Sequence, residues 1–117
     1  MAGSPTTRTL ALVRKQGFMA EVVEKWNAHI KIRQDLFGFA DVIAVDPNLG
    51  QFLLFQTTSY SGFSARRKKI LESDKAKTWL DAGGRIFVHG WQQKGGKGTR
   101  WSVREEEVTL EDFNVEA

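Results

Sequence analysis

The segment Asp35–Ser59, DLFGFADVIAVDPNLGQFLLFQTTS, decides the reading of this chain. Two short apolar runs rich in β-branched and aromatic residues, Phe39–Val45 and Phe52–Thr57, flank the turn Asp46-Pro47-Asn48-Leu49-Gly50, the pattern of a β-hairpin. The first strand carries one charge, Asp41, among Phe, Ala, Val and Ile, and the second runs from Phe-Leu-Leu-Phe into Gln56, Thr58 and Ser59. A carboxylate in a strand with a buried face is costly unless it is paired, hydrogen-bonded or bound to a metal. In an antiparallel hairpin, residues 41 and 56 can approach on one face where register permits. A carboxylate, an amide oxygen and a nearby carbonyl make a hard, oxygen-rich set suited to magnesium or manganese.

Outward from the hairpin, the N-terminal side opens with a flexible polar leader, residues 1–5. A short helix follows, capped by Thr6 or Thr7, with Leu10, Leu12 and Val13 as its apolar side and Gly17 as its stop. Phe18–Trp26 fits both the alternation of a strand and helical spacing; Gly17 and the Val22-Val23 pair favour the strand. Asn27–Gln34 reads as a connection with a short extended piece near Ile30–Arg33. On the C-terminal side, the loop Tyr60–Phe63 precedes one helix from Ser64 or Ala65 to Ala82. Ile70, Ala76, Trp79 and Leu80 share its apolar face, and Gly83-Gly84 ends it. Arg85–Trp91 and Arg100–Val108 read as strands around the flexible turn Gln92–Thr99, and Thr109 caps a last helical turn, Leu110–Phe113. This order predicts a single α/β domain over 1–117, a central mixed β-sheet flanked by helices, with the long helix crossing from the third strand to the fourth.

The 117 residues suffice for one such core. Without cysteine the chain has neither disulfides nor thiolate metal sites, and its two histidines, His29 and His89, lack metal-ligand spacing. No apolar run has the length of a membrane span, and the N-terminus lacks a signal-peptide core, so the expected setting is cytoplasmic, away from membranes. The net charge of +3 hides an asymmetry: all 17 Lys and Arg, with eight of the 14 Asp and Glu, precede residue 105. That body therefore carries +9, against −6 for the end of the chain, whose acidic tail is residues 108–117. A basic body suits a polyanion, most directly DNA, and the tail can cover part of the basic surface when no ligand is bound.

Arg66-Arg67-Lys68-Lys69 falls in the first turns of the long helix, where positive charge opposes the helix dipole, so a bound phosphate is the expected compensation. Ser59, Ser61 and Ser64 offer hydroxyl donors beside it. Lys94 and Lys97, on a glycine-rich tip between Trp91 and Trp101, form a second candidate nucleic-acid contact, with both tryptophans read as cross-strand packing. The Gly-Gly-Lys-Gly run lacks Walker spacing and opens no helix, so it is no P-loop. Asp35 either fixes the Leu-Phe-Gly-Phe loop or joins the site.

Gly38-Phe39-Ala40-Asp41, a hairpin turn, a strand ending in Gln56-Thr57-Thr58 and a basic helix together resemble the PD-(D/E)XK nuclease superfamily, in particular its small Holliday-junction-resolvase-like and VRR-NUC-like members. The resemblance spans roughly residues 8–105 and implies a restriction-endonuclease-like fold with the order α-β-β-β-α-β. It implies a magnesium- or manganese-dependent endonuclease hydrolysing DNA phosphodiesters, duplex or branched, and a homodimer where paired cuts are made. By matching position, Asp41 holds the metal, Gln56 stands where the family has Glu or Gln, and Thr58 stands where it has Lys. Glu21 or Glu24 is the additional acid, and Lys68, Lys69 or Arg66 supplies the cation missing at Thr58. Gln for Glu weakens metal binding by removing one charge. The alternative on the same fold is a catalytically degenerate module that binds nucleic acid without cutting it. A third reading has the basic body meet an acidic protein.

Overall fold

The computed structural model describes residues 3–94 and 100–116, with backbone alone for 114–116. Helix α1 (Pro5–Lys15) begins two or three residues earlier than the Thr6 or Thr7 cap predicts. Ser4 Oγ accepts from the Thr7 amide at 3.1 Å and Pro5 occupies the first helical position, where its missing N–H costs nothing. The expected leader is therefore partly helix. Gly17, at φ 95°, turns the chain into strand β1 (Met19–Val22), shorter than the Phe18–Trp26 expectation. The chain then leaves the sheet for a two-stranded antiparallel ribbon, β2 (Lys25–Asn27) and β3 (Ile32–Gln34), before returning as β4 (Val42–Asp46) and β5 (Gln51–Ser59).

The β4–β5 hairpin is the central pair, with Val42 opposite Phe55 and Asp46 opposite Gln51. Asp46 Oδ1 accepts from the amides of Asn48 and Leu49, and Gly50 at φ 65° closes the turn, which explains the Asp-Pro-Asn-Leu-Gly composition. Strand β4 starts three residues later than Phe39 because Leu36–Ala40 forms a tight loop, with Phe37 and Gly38 at φ 57° and 83° and a bridge from Leu36 to Ala40.

After a 3₁₀ turn at Tyr60–Gly62, the expected single helix is two: α2 (Phe63–Leu71) and α3 (Asp74–Asp81). Ser73 breaks the run, its side chain accepting from the Ala76 amide at 3.2 Å as the cap of α3. Strands β6 (Arg85–Lys94) and β7 (Arg100–Val108) follow, then α4 (Leu110–Glu116). The sheet order is β1-β4-β5-β6-β7, antiparallel except for the parallel β5–β6 pair that the α2–α3 crossover makes.

Strand alternation divides the core. Ala20, Val42, Ala44, Leu53, Phe55 and Phe87 pack with Val13 of α1 on one face. Leu54, Ile86, Val88 and Val108 pack with Phe63, Ile70 and Ala76 on the other, joined there by Phe113 of α4. The acidic end is thus a docked helix: Asp112 accepts from the Thr109 amide at 2.8 Å and pairs with Arg67 at 3.1 Å. At the β1 edge, Arg14 donates twice to the Ala20 carbonyl, at 2.8 and 3.1 Å, satisfying an edge group that would otherwise invite strand addition. Among the described residues no helix is long and apolar enough to cross a membrane.

Candidate functional site

Asp41 lies where the Leu36–Ala40 loop enters β4. Its backbone is fixed on both sides, its amide donating to the Phe55 carbonyl and its carbonyl accepting from the Val23 amide, each at 2.8 Å. The side chain is 5% exposed, and Oδ2 accepts three bonds: Gln56 Nε2 at 2.9 Å, the Thr57 amide at 2.8 Å and Thr57 Oγ1 at 3.1 Å. With the Thr57 hydroxyl hydrogen directed at Asp41, the Thr6 hydroxyl of α1 is the donor in its 2.8 Å bond to Thr57 Oγ1. The expected approach of residues 41 and 56 is therefore a direct hydrogen bond.

That bond has a consequence for Gln56. Its Nε2 serves both Asp41 Oδ2 and the Thr57 carbonyl at 3.3 Å, and the reverse amide orientation would set oxygen against oxygen at both. Oε1 is left buried without a hydrogen-bond partner, on a residue 1% exposed that lines the cleft. An unsatisfied buried acceptor costs roughly 1–3 kcal/mol, which a bound water or ion would recover.

Two further acids converge here. Glu24, just past β1, and Asp35, just past β3, each bring a carboxylate oxygen to within 4.8 Å of one another and of Asp41. Burial pushes the Asp41 carboxyl up to about 7; the Thr57 amide opposes the shift, and the neighbouring Asp35 charge adds to it. The three acids line a cleft of about 540 Å³ together with Gln56, Thr58 and Ser59 of β5, Arg33, Arg66 and Lys69. Lys69 Nζ lies 3.8 Å from Asp35, and Arg33 Nη1 lies 3.7 Å from Glu24. Three carboxylates with oxygens within 4.8 Å of one another fit a hard divalent cation such as magnesium or manganese, which would relieve their like-charge repulsion.

Of the residues singled out from sequence, Asp41, Gln56, Thr58 and Glu24 meet in this cleft, Arg66 and Lys69 join its wall, and Asp35 belongs to the site. Thr58 is held by the next turn: a Cβ at Gly62 would collide with Thr58 Oγ1, so only glycine lets the chain pass so closely. Glu21 is exposed instead and pairs with Arg14 at 3.5 Å. Arg67 is not a free phosphate ligand. Glu106 at 2.6 Å and Asp112 at 3.1 Å hold it, because β7 and α4 arrive alongside α2. Lys68 is exposed and outside the cleft lining; Lys94 lies on β6 past Trp91, the partner of Ser59, and also outside it. Lys97 falls outside the described residues. Sequence reasoning missed Arg33, which sits in a strand too short to show periodicity, and Thr57, the residue between the two motif positions.

A second polar cluster lies on the α1 face. His89, fully buried, bonds Thr9 Oγ1 through Nδ1 at 2.9 Å and Glu105 Oε2 through Nε2 at 2.8 Å. Trp91 Nε1 donates to Thr9 Oγ1 at 2.9 Å. Thr-His-Glu has the outline of a nucleophile triad, yet the hydroxyl is 0% exposed and already bonded, so this network is structural. Trp91 packs as expected; Trp101 lies under the Arg8 guanidinium, 3.3 Å from the ring centroid. No protein-family model, no curated protein and no solved structure matches the chain.

Proposed function

We propose that this protein is a divalent-cation-dependent endonuclease of restriction-endonuclease-like fold, hydrolysing phosphodiester bonds of duplex or branched DNA. The observation that carries the reading is the cluster of Glu24, Asp35 and Asp41 in a cleft also lined by Gln56, Arg33, Arg66 and Lys69, where Gln56 bonds Asp41 and its buried Oε1 has no partner. The element order supports it. Helix α1, strand β1, the β4–β5 hairpin, the α2–α3 crossover and a parallel β6 reproduce the α-β-β-β-α-β order implied by the sequence resemblance, with the β2–β3 ribbon inserted.

Magnesium or manganese, when bound, supplies Lewis acidity to the phosphate and makes nearby water more acidic. Glu24, Asp35, Asp41 and Gln56 are the residues that would hold it. Thr57 and Thr6 keep Asp41 in one rotamer, so the carboxylate is presented without reorganisation. Lys69 reaches the site from α2 and supplies the positive charge that Thr58 lacks, while Arg66 and Arg33 offer guanidinium forks for the non-bridging phosphate oxygens. Threonine at position 58 and glutamine at 56 favour the second reading, a module on the same fold that binds DNA and leaves it intact.

Labelled duplex, single-stranded, flap and four-way DNA incubated with magnesium or manganese, beside EDTA and Asp41→Ala controls, separates the two. Metal-dependent cutting that disappears in Asp41→Ala is the expected result. Binding of every substrate without cutting would leave the module reading in its place.

A further inference from the structure

The β2–β3 ribbon is the part of the molecule that neither core face absorbs. It pairs only with itself, Lys25 opposite Gln34, Trp26 opposite Arg33 and Asn27 opposite Ile32, in a sheet separate from the main one. Asn27 shapes its tip, Oδ1 accepting from the amides of His29 at 3.0 Å and Ile30 at 3.4 Å. Residues 25–34 contain no acid, and they carry Lys25, Lys31 and Arg33. They also expose their large apolar side chains: Trp26 is 57% exposed, Ile30 57% and Ile32 49%. A short strand pair that leaves an indole in water and concentrates positive charge is poorly explained by packing.

The position is as telling as the composition. The two residues from which the ribbon springs are Glu24 and Asp35, both members of the carboxylate cluster, so its base is the rim of the cleft. Trp26 and Arg33 face each other across the pair and share one side of it, and Arg33 is itself cleft wall. Cations beside an open indole complement a polyanion whose bases can be stacked. A base within a duplex offers no free π-face, so the aromatic selects unpaired nucleotides.

We infer that the β2–β3 ribbon is a nucleic-acid-binding arm that takes an unpaired stretch of the DNA strand leading into the cleft, with Trp26 stacking on a base and Lys25, Lys31 and Arg33 meeting its phosphates. This rests on the reading that the cleft receives DNA, and it narrows the substrate to DNA with an unpaired segment, such as a flap or a branch point.

Binding of labelled oligothymidine and of a matched duplex to the full chain in EDTA, followed by anisotropy and tryptophan emission, tests the arm without any cleavage. Trp26→Ala weakens oligothymidine binding about 5- to 150-fold, with less than about a twofold change for the duplex, and removes the emission quench. Trp26→Phe restores most of the affinity. Lys25→Ala with Lys31→Ala lowers the salt slope for the single strand by about 1.4. Thermal melts confirm that the exposed substitutions leave the fold intact. Wild-type protein that ignores oligothymidine, Trp26→Ala binding it normally, or equal losses for single strand and duplex would each overturn the inference. The two proposals fail separately: Trp26-dependent binding without metal-dependent cutting sinks only the nuclease, whereas cutting with Trp26-independent binding sinks only the arm.

Discussion

The sheet holds two buried polar clusters that differ in one respect, whether they are complete. In the Thr9–His89–Glu105–Trp91 network each polar atom finds a complement: Trp91 donates to Thr9, Thr9 to His89 Nδ1, and Nε2–H to Glu105. The cleft cluster packs three carboxylates within 4.8 Å and leaves Gln56 Oε1 without a partner. A satisfied network rigidifies a fold, and an unsatisfied one is kept only where something else completes it. The first is therefore assigned to stability; the proposed function assigns the second to chemistry, and on that reading substitutions on the two sides differ in their consequences.

On the proposed nuclease reading, Asp41→Ala should give the largest effect: metal-dependent cleavage should fall below detection, a loss of more than about a hundredfold, while the melting transition stays cooperative. His89→Ala sharpens the contrast. It leaves a cavity beneath Phe55 and strips partners from Thr9 and Glu105, so stability drops by about 2–4 kcal/mol in urea titration. On the proposed reading, the folded fraction of that variant should still cut. A His89 variant that folds normally and has lost only cleavage would reverse the two assignments.

The two clusters were not equally legible from sequence. The hairpin showed itself as two β-branched runs around an Asx-rich turn, and Asp41 as a charge with no business in an apolar strand. Gln56 followed from its place on the partner strand. The choice between Glu21 and Glu24 depended on where β1 ends, and boundaries are set by tertiary pairing: Val22 still opposes Val42, while Glu24 lies past the strand and turns to the cleft. Arg67 read as one more cation of a basic run because the acids that hold it, Glu106 and Asp112, come from distant chain. The α2–α3 break was signalled locally by Ser73-Asp74 but masked by helical spacing on both sides. Of the ribbon, the extended piece expected near Ile30–Arg33 overlaps β3, but strands of three residues carry too little alternation to show their pairing or to separate β2 from β1. Thr9 and His89 gave no sign of each other, since one lies on the first helix and the other on the fourth strand of the sheet.

Acid and base distinguish the clusters next. Asp41 has an ordinary value of 3.8 and is pushed up to about 7 by burial and by Asp35, so the folded, metal-free protein holds a proton that the unfolded chain releases. Its stability is therefore full below about pH 4 and falls as the pH rises toward 7. If the cleft holds magnesium or manganese as proposed, the ion should compete with that proton, and metal at ten times Kd should add about 1.4 kcal/mol of stability at pH 8. Thermal melts of wild type and Asp41→Asn across this range, with and without metal, provide the check. The Asn variant should show neither the decline nor the metal-dependent gain.

The smallest effect has the opposite sign. The His89 hydrogen bond holds the Glu105 carboxyl below its ordinary range, against a weaker upward push from burial. A depressed folded value means that the bond's contribution is present above the unfolded value, near 4.5, and is lost as the pH falls through the folded one. Since the Glu105 side chain is 50% exposed, water screens it, and Glu105→Gln should cost only about 0.5–1 kcal/mol at neutral pH. The substitution should cost almost nothing in acid, where the wild-type carboxyl is protonated as well. Thr57, which bonds Asp41, lies opposite His89 in the β5–β6 register, yet the two clusters share no hydrogen-bond partner, so double-mutant melts with Asp41→Asn should be close to additive. Strong coupling between them would mean that the sheet transmits charge from one to the other, and the complete cluster would have to be counted as part of the incomplete one.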